Sequence, residues 1–281
     1  MIAVCPNPFR DNDLRITREI CSMLEKEGLE TAVCPVFADD EPEVLPVSMT
    51  YHKLPEVAER CTLAIVIGGD GTILSVVRQL RSEQIPLLGV NLGTKGFMAN
   101  LEPEDLGKVV QAAKGDYRLS RRMMISAELW RDGQLLCTDH ALNDVVLHGY
   151  GDCIGVTVTC NGDRVSQFSG DGIILSTPTG STGYSMSAGG PIVEPEAENI
   201  IISPICPHVM GARTFVLDPQ RTVKVTAERL HGRRAYLAVD GISIADLAGG
   251  DEIVVRRSEH YVLMADLGLK SFYDIAYEKL R

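Results

Sequence analysis

IVIGGDGTIL, residues 65–74, decides the fold of the first part of the chain. The apolar run that precedes its glycines, TLAIVI, is typical of a strand buried on both faces, and the segment that follows, TILSVVRQLRSEQ, has the apolar spacing of a helix. Glycines let the backbone approach a ligand closely, and the start of a helix offers free N–H groups and the positive end of its dipole. The stretch therefore predicts either a phosphate-binding turn or a plain strand-to-helix turn that needs glycine.

Asp70 stands in the middle of this turn, where a carboxylate would repel phosphate. Two unit charges about 4 Å apart interact by roughly 1 kcal/mol in water and about 4 kcal/mol at an effective dielectric constant near 20. The acid is therefore compatible with phosphate only if a metal ion intervenes, or if it faces a hydroxyl that attacks the phosphate. The second role is that of a general base. The pattern is neither GxGxxG nor a P-loop, since the P-loop lysine is missing.

Strand-like and helix-like segments alternate through residues 1–119, which predicts a doubly wound, parallel-sheet α/β domain. Beyond residue 120 the chain changes to short strands separated by turn signals. The pairs Asp132-Gly133, Asn161-Gly162 and Asp240-Gly241 predict β-hairpins. Residues 120–263 are therefore predicted to form a mostly antiparallel β-rich domain. The tail, about 264–281, returns to helical spacing and is predicted to pack back on the first domain.

The net charge and the cysteine pattern argue against several classes of partner and site. The 281 residues carry a formal charge of −11, so the surface as a whole does not attract nucleic acid or anionic lipid, and we expect neither as a partner. The eight cysteines contain no CxxC pair, which favours reduced core thiols in a cytoplasmic protein over a disulfide framework or a zinc site. The first residues do not read as a signal peptide, and no apolar run reaches the length of a membrane span.

The segment Ser169–Ile192, SGDGIILSTPTGSTGYSMSAGGPI, is the most unusual of the chain. Eight of the twelve residues in Ser176–Ser187 carry hydroxyl groups, and no Lys or Arg occurs between Arg164 and Arg213. Side-chain charge therefore cannot hold phosphate here, and the segment suits a neutral polar group such as a nucleobase, a ribose or an amide. The alternative is a solvated Ser/Thr loop, but the apolar flanks favour a buried wall.

Two further positions carry acids in turn-like contexts. Asn143-Asp144 stands just before a β-branched run, and an acid next to an amide can hold a ribose diol, as in dinucleotide sites. A plain turn before a strand explains the same pair equally well. Asp171 precedes a glycine and is also compatible with a simple turn.

These stretches together resemble the NAD kinase family, which phosphorylates NAD at the 2′-hydroxyl of its adenosine ribose. GGDGT at 68–72 is similar to the family's glycine-rich acid motif, and the pair at 143–144 is similar to its Asn-Glu/Asp motif. DGIILSTPTGSTGYSMSAGGPI at 171–192 resembles the family's long signature, and 89–103 and 202–208 are also similar to family stretches. GGDGT alone occurs in lipid kinases and phosphofructokinases too, and the long signature separates this chain from both.

The resemblance implies a two-domain fold, homo-oligomers (dimers or tetramers), NAD and ATP as substrates, and Mg²⁺ carried with the triphosphate rather than by protein ligands. It implies that Asp70 is the proton acceptor. The other residues that it implies at the donor and NAD sites are Gly68, Gly69, Gly71, Thr72, Asn143, Asp144, Asp171, Thr182, Gly183, Tyr184, Ser185, Met186, Ser187 and Cys206.

The sequence therefore predicts an NAD kinase, with two alternatives left open: a lipid kinase that shares the GGDGT loop, or a non-catalytic NAD(P)-sensing protein. Four positions depart from the commoner family pattern. Asp144 replaces a glutamate, Ser169 stands where some members have arginine, and Gly183 and Cys206 occupy positions often held by alanine.

Overall fold

The structure is a computed structural model that describes residues 1–37, 42–80, 84–93, 96–99, 101–209 and 211–280. The elements up to residue 121 are β1 Ile2–Pro6, α1 Arg15–Lys26, β2 Thr31–Val33, α2 Leu54–Val57, β3 Leu63–Gly68, α3 Asp70–Leu80, β4 Leu87–Asn91, α4 Lys108–Ala113 and the start of β5 Arg118–Arg131. The elements that follow are β6 Gln134–Ala141, β7 Asp144–Gly149, β8 Ile154–Cys160, β9 Asp163–Gly170, β10 Gly172–Ser176, α5 Tyr184–Ser187, β11 Ile200–Ile205, β12 Phe215–Leu217, β13 Val223–Ala227, β14 Ala235–Val239, β15 Ile242–Leu247, β16 Glu252–Asp266 and α6 Phe272–Lys279.

The described chain divides into two compact units, Met1–Arg121 with Val262–Arg281, and Arg122–Tyr261. In the first unit, four strands lie in the order β2-β1-β3-β4, and every pair is parallel. The end of β16 adds a further parallel strand beside β4, where Met264 pairs with Leu87. This confirms the predicted parallel α/β domain, and it confirms that the C-terminal tail belongs to it.

Strands β1, β3 and β4 of the first unit are buried along their whole length, as their continuous apolar sequences predict. Ile65 and Ile67 of β3 pack with Val4 of β1 and Val90 of β4 in one core. Because the strands are parallel, the residues that follow β1, β3 and β4 emerge at the same edge of the sheet. In open α/β sheets this carboxyl edge is where ligands bind.

The second unit is antiparallel, which confirms the predicted β-rich domain. One of its sheets has the order β12-β11-β10-β7-β14-β15, and the other contains β16-β13-β8-β9 with β5 and β6. Alternate residues of the two sheets form a shared core that includes Leu147, Ile173, Leu237 and Val225. The opposite face of the six-stranded sheet carries a smaller cluster, and that face holds α5.

The three predicted hairpins are confirmed. Two-residue turns join Arg131 to Gln134, Cys160 to Asp163 and Val239 to Ile242. Both residues of each turn have positive φ, as a type I′ turn requires. Among the described helices, none is both long and apolar enough to cross a membrane.

Candidate active site

The GGDGT turn is tighter than the sequence suggests. The helix predicted from Thr72 is confirmed through Leu80, the end of its described part, and it starts two residues earlier than predicted: α3 begins at Asp70, and only Gly69 separates it from β3. The Gly69 carbonyl accepts the N–H of Thr72 at 2.9 Å and that of Ile73 at 3.2 Å. Asp70 therefore lies in the first helical turn, where the helix dipole favours a negative charge.

The Asp70 carboxylate is held by backbone N–H groups from a segment far along the chain. Phe97 N–H donates to Oδ2 at 2.7 Å and Met98 N–H donates to Oδ1 at 3.0 Å. Gly96 is close enough that an added Cβ would lie 2.7 Å from Oδ1. Each carboxylate oxygen has two acceptor sites, so both oxygens can accept one further hydrogen bond. This geometry orients the acid without consuming its capacity to bind a hydroxyl.

The glycines of the turn have different roles. At Gly68 an added Cβ would lie 2.2 Å from Thr72 Oγ1, so this glycine allows the close packing of strand on helix. At Gly69 and Gly71 an added Cβ would meet nothing within 4 Å. Two N–H groups of the motif already have partners, since Gly69 N–H donates to Thr72 Oγ1 at 3.3 Å and Thr72 N–H donates to Gly69. The N–H groups of Asp70 and Gly71 lie in the first turn of α3, where backbone N–H groups have no partner within the helix. They are therefore the N–H groups of the motif that remain able to bind a phosphate.

The turn after β1 brings a cation to the same sheet edge. Asn7 Nδ2 donates to Thr72 Oγ1 at 3.4 Å, and the backbone N–H of Arg10 donates to the Asn7 carbonyl at 3.0 Å. The Arg10 guanidinium reaches toward the end of β4, where an added Cβ on Gly93 would lie 3.9 Å from Nη1. Arg10 is exposed and therefore available to an anionic ligand.

In the second unit, one buried acid holds the turn that carries Asn143 and Asp144. The Asp240 carboxylate accepts the N–H groups of Leu142 at 2.8 Å, Asn143 at 2.7 Å and Asp144 at 3.1 Å. Asp240 can do so because β14 pairs directly with β7, with Val239 opposite Val145. The residue predicted only to close a hairpin therefore also fixes the position of the candidate ribose-binding pair.

Asp144 is an unusual carboxyl group. It is buried, and burial together with the nearby Asp240 charge raises its pKa from 3.8 to about 7. Burial also raises the pKa of Asp240, against the three N–H groups that lower it. Near neutral pH the Asp144 carboxyl is therefore partly protonated, so it can donate a hydrogen bond as well as accept one.

Residues 176–181 of the hydroxyl-rich segment are buried, as expected, whereas Tyr184 and Ser187 are exposed. Most of the buried hydroxyls bond to protein. Ser176 donates to the Asn143 carbonyl, Thr177 donates to Leu142, and the Ser181 hydroxyl bonds to Val193. These hydroxyl groups donate their hydrogens to backbone carbonyls of the protein. They therefore stabilise the wall and have no hydrogen left to donate to a ligand. The burial agrees with the predicted wall, while its suitability for a neutral polar ligand stays a prediction.

Two buried polar atoms of this wall have no hydrogen-bond partner among the described residues: Asn143 Oδ1 and Thr179 Oγ1. Gly183 lies beside the same group, since an added Cβ there would be 3.7 Å from Asn143 Nδ2 and 4.0 Å from Asp144 Oδ2. Buried polar atoms in native proteins are nearly always paired. The two unpartnered atoms, one on the Asn143 turn and one on the 3-10 turn of the hydroxyl-rich segment, therefore mark a region where a polar ligand could supply the missing hydrogen bonds.

The remaining candidate residues of the second unit lie along α5 and the ends of two strands. Thr182 ends the 3-10 turn that leads to Gly183, and Tyr184–Ser187 form α5. The Ser185 hydroxyl is buried and bonds to Ser203 Oγ at 2.9 Å, which attaches α5 to β11. Met186 is half-buried, and Ser187 is exposed.

Asp171 and Cys206 belong to the same neighbourhood as Tyr184. The pKa of the Tyr184 hydroxyl is raised, first by partial burial and then by nearby groups that include Cys206 and Asp171. The Cys206 thiol is hydrogen-bonded to Asp171, which raises its pKa. All eight cysteines are free, and only half of them are buried, so the expectation of core thiols holds for Cys5, Cys21, Cys34 and Cys61 and is wrong for Cys206, which is exposed.

Family models and individual relatives that match this chain belong to one protein family. The model of the ATP-NAD kinase N-terminal domain matches residues 2–116, and that of the ATP-NAD kinase C-terminal domain matches residues 142–267. The chain belongs to the NAD kinase family. An NAD kinase of Lachnoclostridium phytofermentans is 36% identical over 98% of this chain and 97% of its own length.

Solved structures of NAD kinase family members have the same fold. The yeast NADH kinase complexed with NADH superposes with a TM-score of 0.84 at 26% identity, covering 99% of this chain and 85% of the other. The NAD kinase from Archaeoglobus fulgidus in complex with ATP superposes with a TM-score of 0.78 at 26% identity, covering 100% and 99%.

Five polar groups could not be singled out from the local sequence. In the first unit they are the N–H groups of Phe97 and Met98 and the Arg10 guanidinium, and in the second unit they are the Thr179 hydroxyl and the Asp240 carboxylate. Residues 89–103 are recognisable as a family stretch, but nothing in them signals a clamp on Asp70. Thr179 is one hydroxyl among eight in its segment, so composition does not distinguish it from its neighbours.

Asp144→Asn is expected to stabilise the protein more at pH 8 than at pH 5. The folded chain keeps the Asp144 proton up to about pH 7, whereas the unfolded chain loses it near the ordinary pKa of 3.8. Stability from the protonated carboxyl is therefore fully present below the unfolded pKa and is lost as pH rises through the folded pKa. Because one pKa unit corresponds to about 1.4 kcal/mol and about two pH units separate pH 5 from the folded pKa, we expect the variant to gain roughly 3 kcal/mol on the wild type between the two conditions.

Urea denaturation of both proteins at pH 5 and pH 8, without nucleotide, measures this difference. Asp163→Asn serves as the control, because Asp163 is exposed beside a hairpin turn and its removal should have the same effect at both pH values. An Asp144→Asn effect that does not change with pH would show that the Asp144 carboxyl ionises normally in the folded protein.

Proposed function

We propose that this chain transfers the terminal phosphoryl group of ATP, or of another triphosphate or polyphosphate, to the 2′-hydroxyl of the adenosine ribose of NAD, forming NADP. The observation that carries the proposal is the pair of buried atoms without a partner among the described residues, Asn143 Oδ1 and Thr179 Oγ1, together with the Asp144 carboxyl that follows Asn143 in the chain. An amide oxygen that accepts, and a hydroxyl and a carboxyl that can each donate and accept, suit the hydroxyls and base edge of a nucleoside. The absence of Lys and Arg between Arg164 and Arg213 suits a neutral group rather than a phosphate.

The donor phosphates would bind at the sheet edge of the first unit. The first-turn N–H groups at Asp70 and Gly71 supply directed donors, and the open space at Gly69 and Gly71 allows close approach. Arg10 would add the positive charge that the glycine-rich turn lacks. Phosphoryl transfer through a loose transition state depends on such positioning and charge neutralisation more than on covalent chemistry.

Mg²⁺ would enter with the triphosphate and neutralise charge on its phosphate oxygens. No group of three His, Cys, Asp or Glu side chains converges to hold a metal in the part of the chain that the structure describes. Mg²⁺ commonly takes most of its ligands from phosphates and water, so a site of this kind is compatible with the residues present.

Asp70 would act on the acceptor. Its carboxylate is fixed by Phe97 and Met98, and each oxygen retains an acceptor position for the attacking hydroxyl. Taking the proton late in the reaction needs no strong base. The Asp144 carboxyl would form a hydrogen bond with the other hydroxyl of the ribose, the one that is not phosphorylated. Asp171, Tyr184 and Cys206 would contact the rest of the dinucleotide.

The test is direct turnover. The protein is incubated with NAD, ATP and Mg²⁺, and NADP is measured by chromatography; parallel reactions replace ATP with polyphosphate and NAD with NADH. Formation of NADP that depends on both substrates supports the proposal. NAD binding without NADP would instead favour an NAD(P)-sensing protein, and phosphorylation of a diacylglycerol in preference to NAD would favour a lipid kinase.

We also propose that the protein acts as a homo-oligomer, a dimer or a tetramer, in the cytoplasm. The edge strand β6 exposes Leu135 and Leu136, and apolar residues on a strand edge favour pairing with another chain. The eight free thiols suit a reducing compartment. Light scattering after gel filtration measures the oligomeric state.

A further inference from the structure

Cys153 and His208 form a thiol–imidazole pair that the proposed reaction does not use. Cys153 Sγ lies 3.6 Å from His208 Nδ1, within hydrogen-bonding distance for sulfur. Cys153 stands just before β8 and is half-buried, and His208 follows β11 and is exposed. A thiol that contacts an imidazole has a base in place to take its proton as the sulfur attacks, which is the arrangement of an activated cysteine nucleophile.

Cys206, which is also accessible to solvent, has a different kind of neighbour. Cys206 is hydrogen-bonded to the Asp171 carboxylate, which raises the pKa of the thiol. The neighbour of the Cys206 thiol is a carboxylate, whereas the neighbour of the Cys153 thiol is an imidazole that can take the thiol proton during an attack. The two cysteines therefore differ in their hydrogen-bond partners although both reach solvent.

We propose that Cys153 and His208 are a modification site for low-molecular-weight disulfides, and that its modification weakens NAD binding. Nδ1 of His208 takes the thiol proton, and the Cys153 sulfur attacks one sulfur of the disulfide. A new bond forms between Cys153 and that sulfur, the original disulfide bond breaks, and the departing thiolate takes the proton from His208. Cys153 is oxidised, and the released thiol is the reduced product.

Backbone bonds connect this site to the candidate NAD-binding residues. His208 N–H donates to the Ser169 carbonyl at 2.8 Å, and Asp171 N–H donates to the Ile205 carbonyl at 3.0 Å. Between them, Cys206 has a φ of 45°, which non-glycine residues rarely adopt, so the turn has few alternative conformations. A group attached to Cys153 displaces the His208 ring and, through these bonds, Asp171. This step rests on the proposed function, because it takes Asp171 as part of the NAD site.

The experiment treats the full-length protein with glutathione disulfide and locates the adduct by peptide mass spectrometry. Cys160 is the matched control, because it is also half-buried and ends the same strand that Cys153 precedes. We expect Cys153 to react at least about tenfold faster than Cys160, and His208→Asn to slow the reaction at Cys153 by a similar factor. The adduct should raise the KM for NAD about tenfold, dithiothreitol should restore it, and Cys153→Ser should keep the KM unchanged by the treatment.

Equal reaction at Cys153 and Cys160, or a rate unaffected by His208→Asn, would overturn the reactive pair. An adduct at Cys153 that leaves the KM for NAD unchanged would overturn the connection to NAD binding. If the untreated protein forms no NADP, the proposed function fails on that result alone. In that case the labelling rates of Cys153 and Cys160 still test the reactive pair. The effect of the adduct on NAD binding is then measured as the change in the Kd for NAD.

Discussion

Asp70→Asn is expected to lower the kcat for NADP formation by roughly two to four orders of magnitude, the usual contribution of a positioned general base. The amide has nearly the shape of the carboxylate but cannot take the proton of the attacking hydroxyl. NAD should still bind, because the candidate residues that contact the nucleoside, including Asn143 and Asp144, are unchanged. The loss should therefore fall on kcat, with little effect on the Kd for NAD.

Steady-state kinetics and isothermal titration with NAD measure the two quantities separately. The amide must present its NH₂ group to either Phe97 N–H or Met98 N–H, so thermal unfolding has to show that the variant remains folded. Asp105→Asn is the matched control, since this acid is exposed on a 3-10 turn of the same unit and should not affect turnover. A folded Asp70→Asn variant that keeps its kcat within about tenfold of the wild type would exclude Asp70 as the proton acceptor.

Gly180→Ala is expected to disrupt the wall of residues 176–187, which we propose binds NAD, whereas Gly183→Ala is expected to be tolerated. A Cβ at Gly180 would lie 2.1 Å from the Asn143 carbonyl oxygen and 2.7 Å from Asn143 Cα, and backbone atoms cannot rotate away. At Gly183 the nearest atom would be 3.3 Å away, so a shift of a few tenths of an ångström suffices. Because displacing a positioning group by about 1 Å can cost about 100-fold in rate, we expect a loss of that order in kcat/KM for NAD at Gly180→Ala.

Kinetics with NAD varied at saturating ATP compare the two variants, and urea denaturation records stability. Overpacking typically costs about 1–3 kcal/mol, so Gly180→Ala should also unfold at lower urea concentration. Similar kcat/KM values for the two alanine variants would show that the Asn143 turn does not determine NAD recognition.

Turns and buried strands were accessible from the sequence because their causes are local. Asp132-Gly133 and Asn161-Gly162 form hairpins because two consecutive residues with positive φ are required, and few residue pairs adopt them without strain. The run at 63–68 forms a buried parallel strand because it is apolar on both faces. The candidate site residues were named on family resemblance, which carried no geometry, and their roles stay predictions.

The sequence by itself determined the two-domain α/β and β-rich architecture, the strand-to-helix turn at Asp70 and the neutral, hydroxyl-rich character of residues 176–187. Only the tertiary structure decided what each polar group contacts. Phe97 and Met98 reach Asp70 because parallel strands end at one edge, and Asp240 reaches the Asn143 turn because β14 pairs with β7. Sheet pairing and burial bring together hydrogen-bond partners that are distant in the sequence. A serine or an aspartate is the same letter in the sequence whether its side chain bonds to the protein or to a ligand, so the sequence cannot distinguish the two.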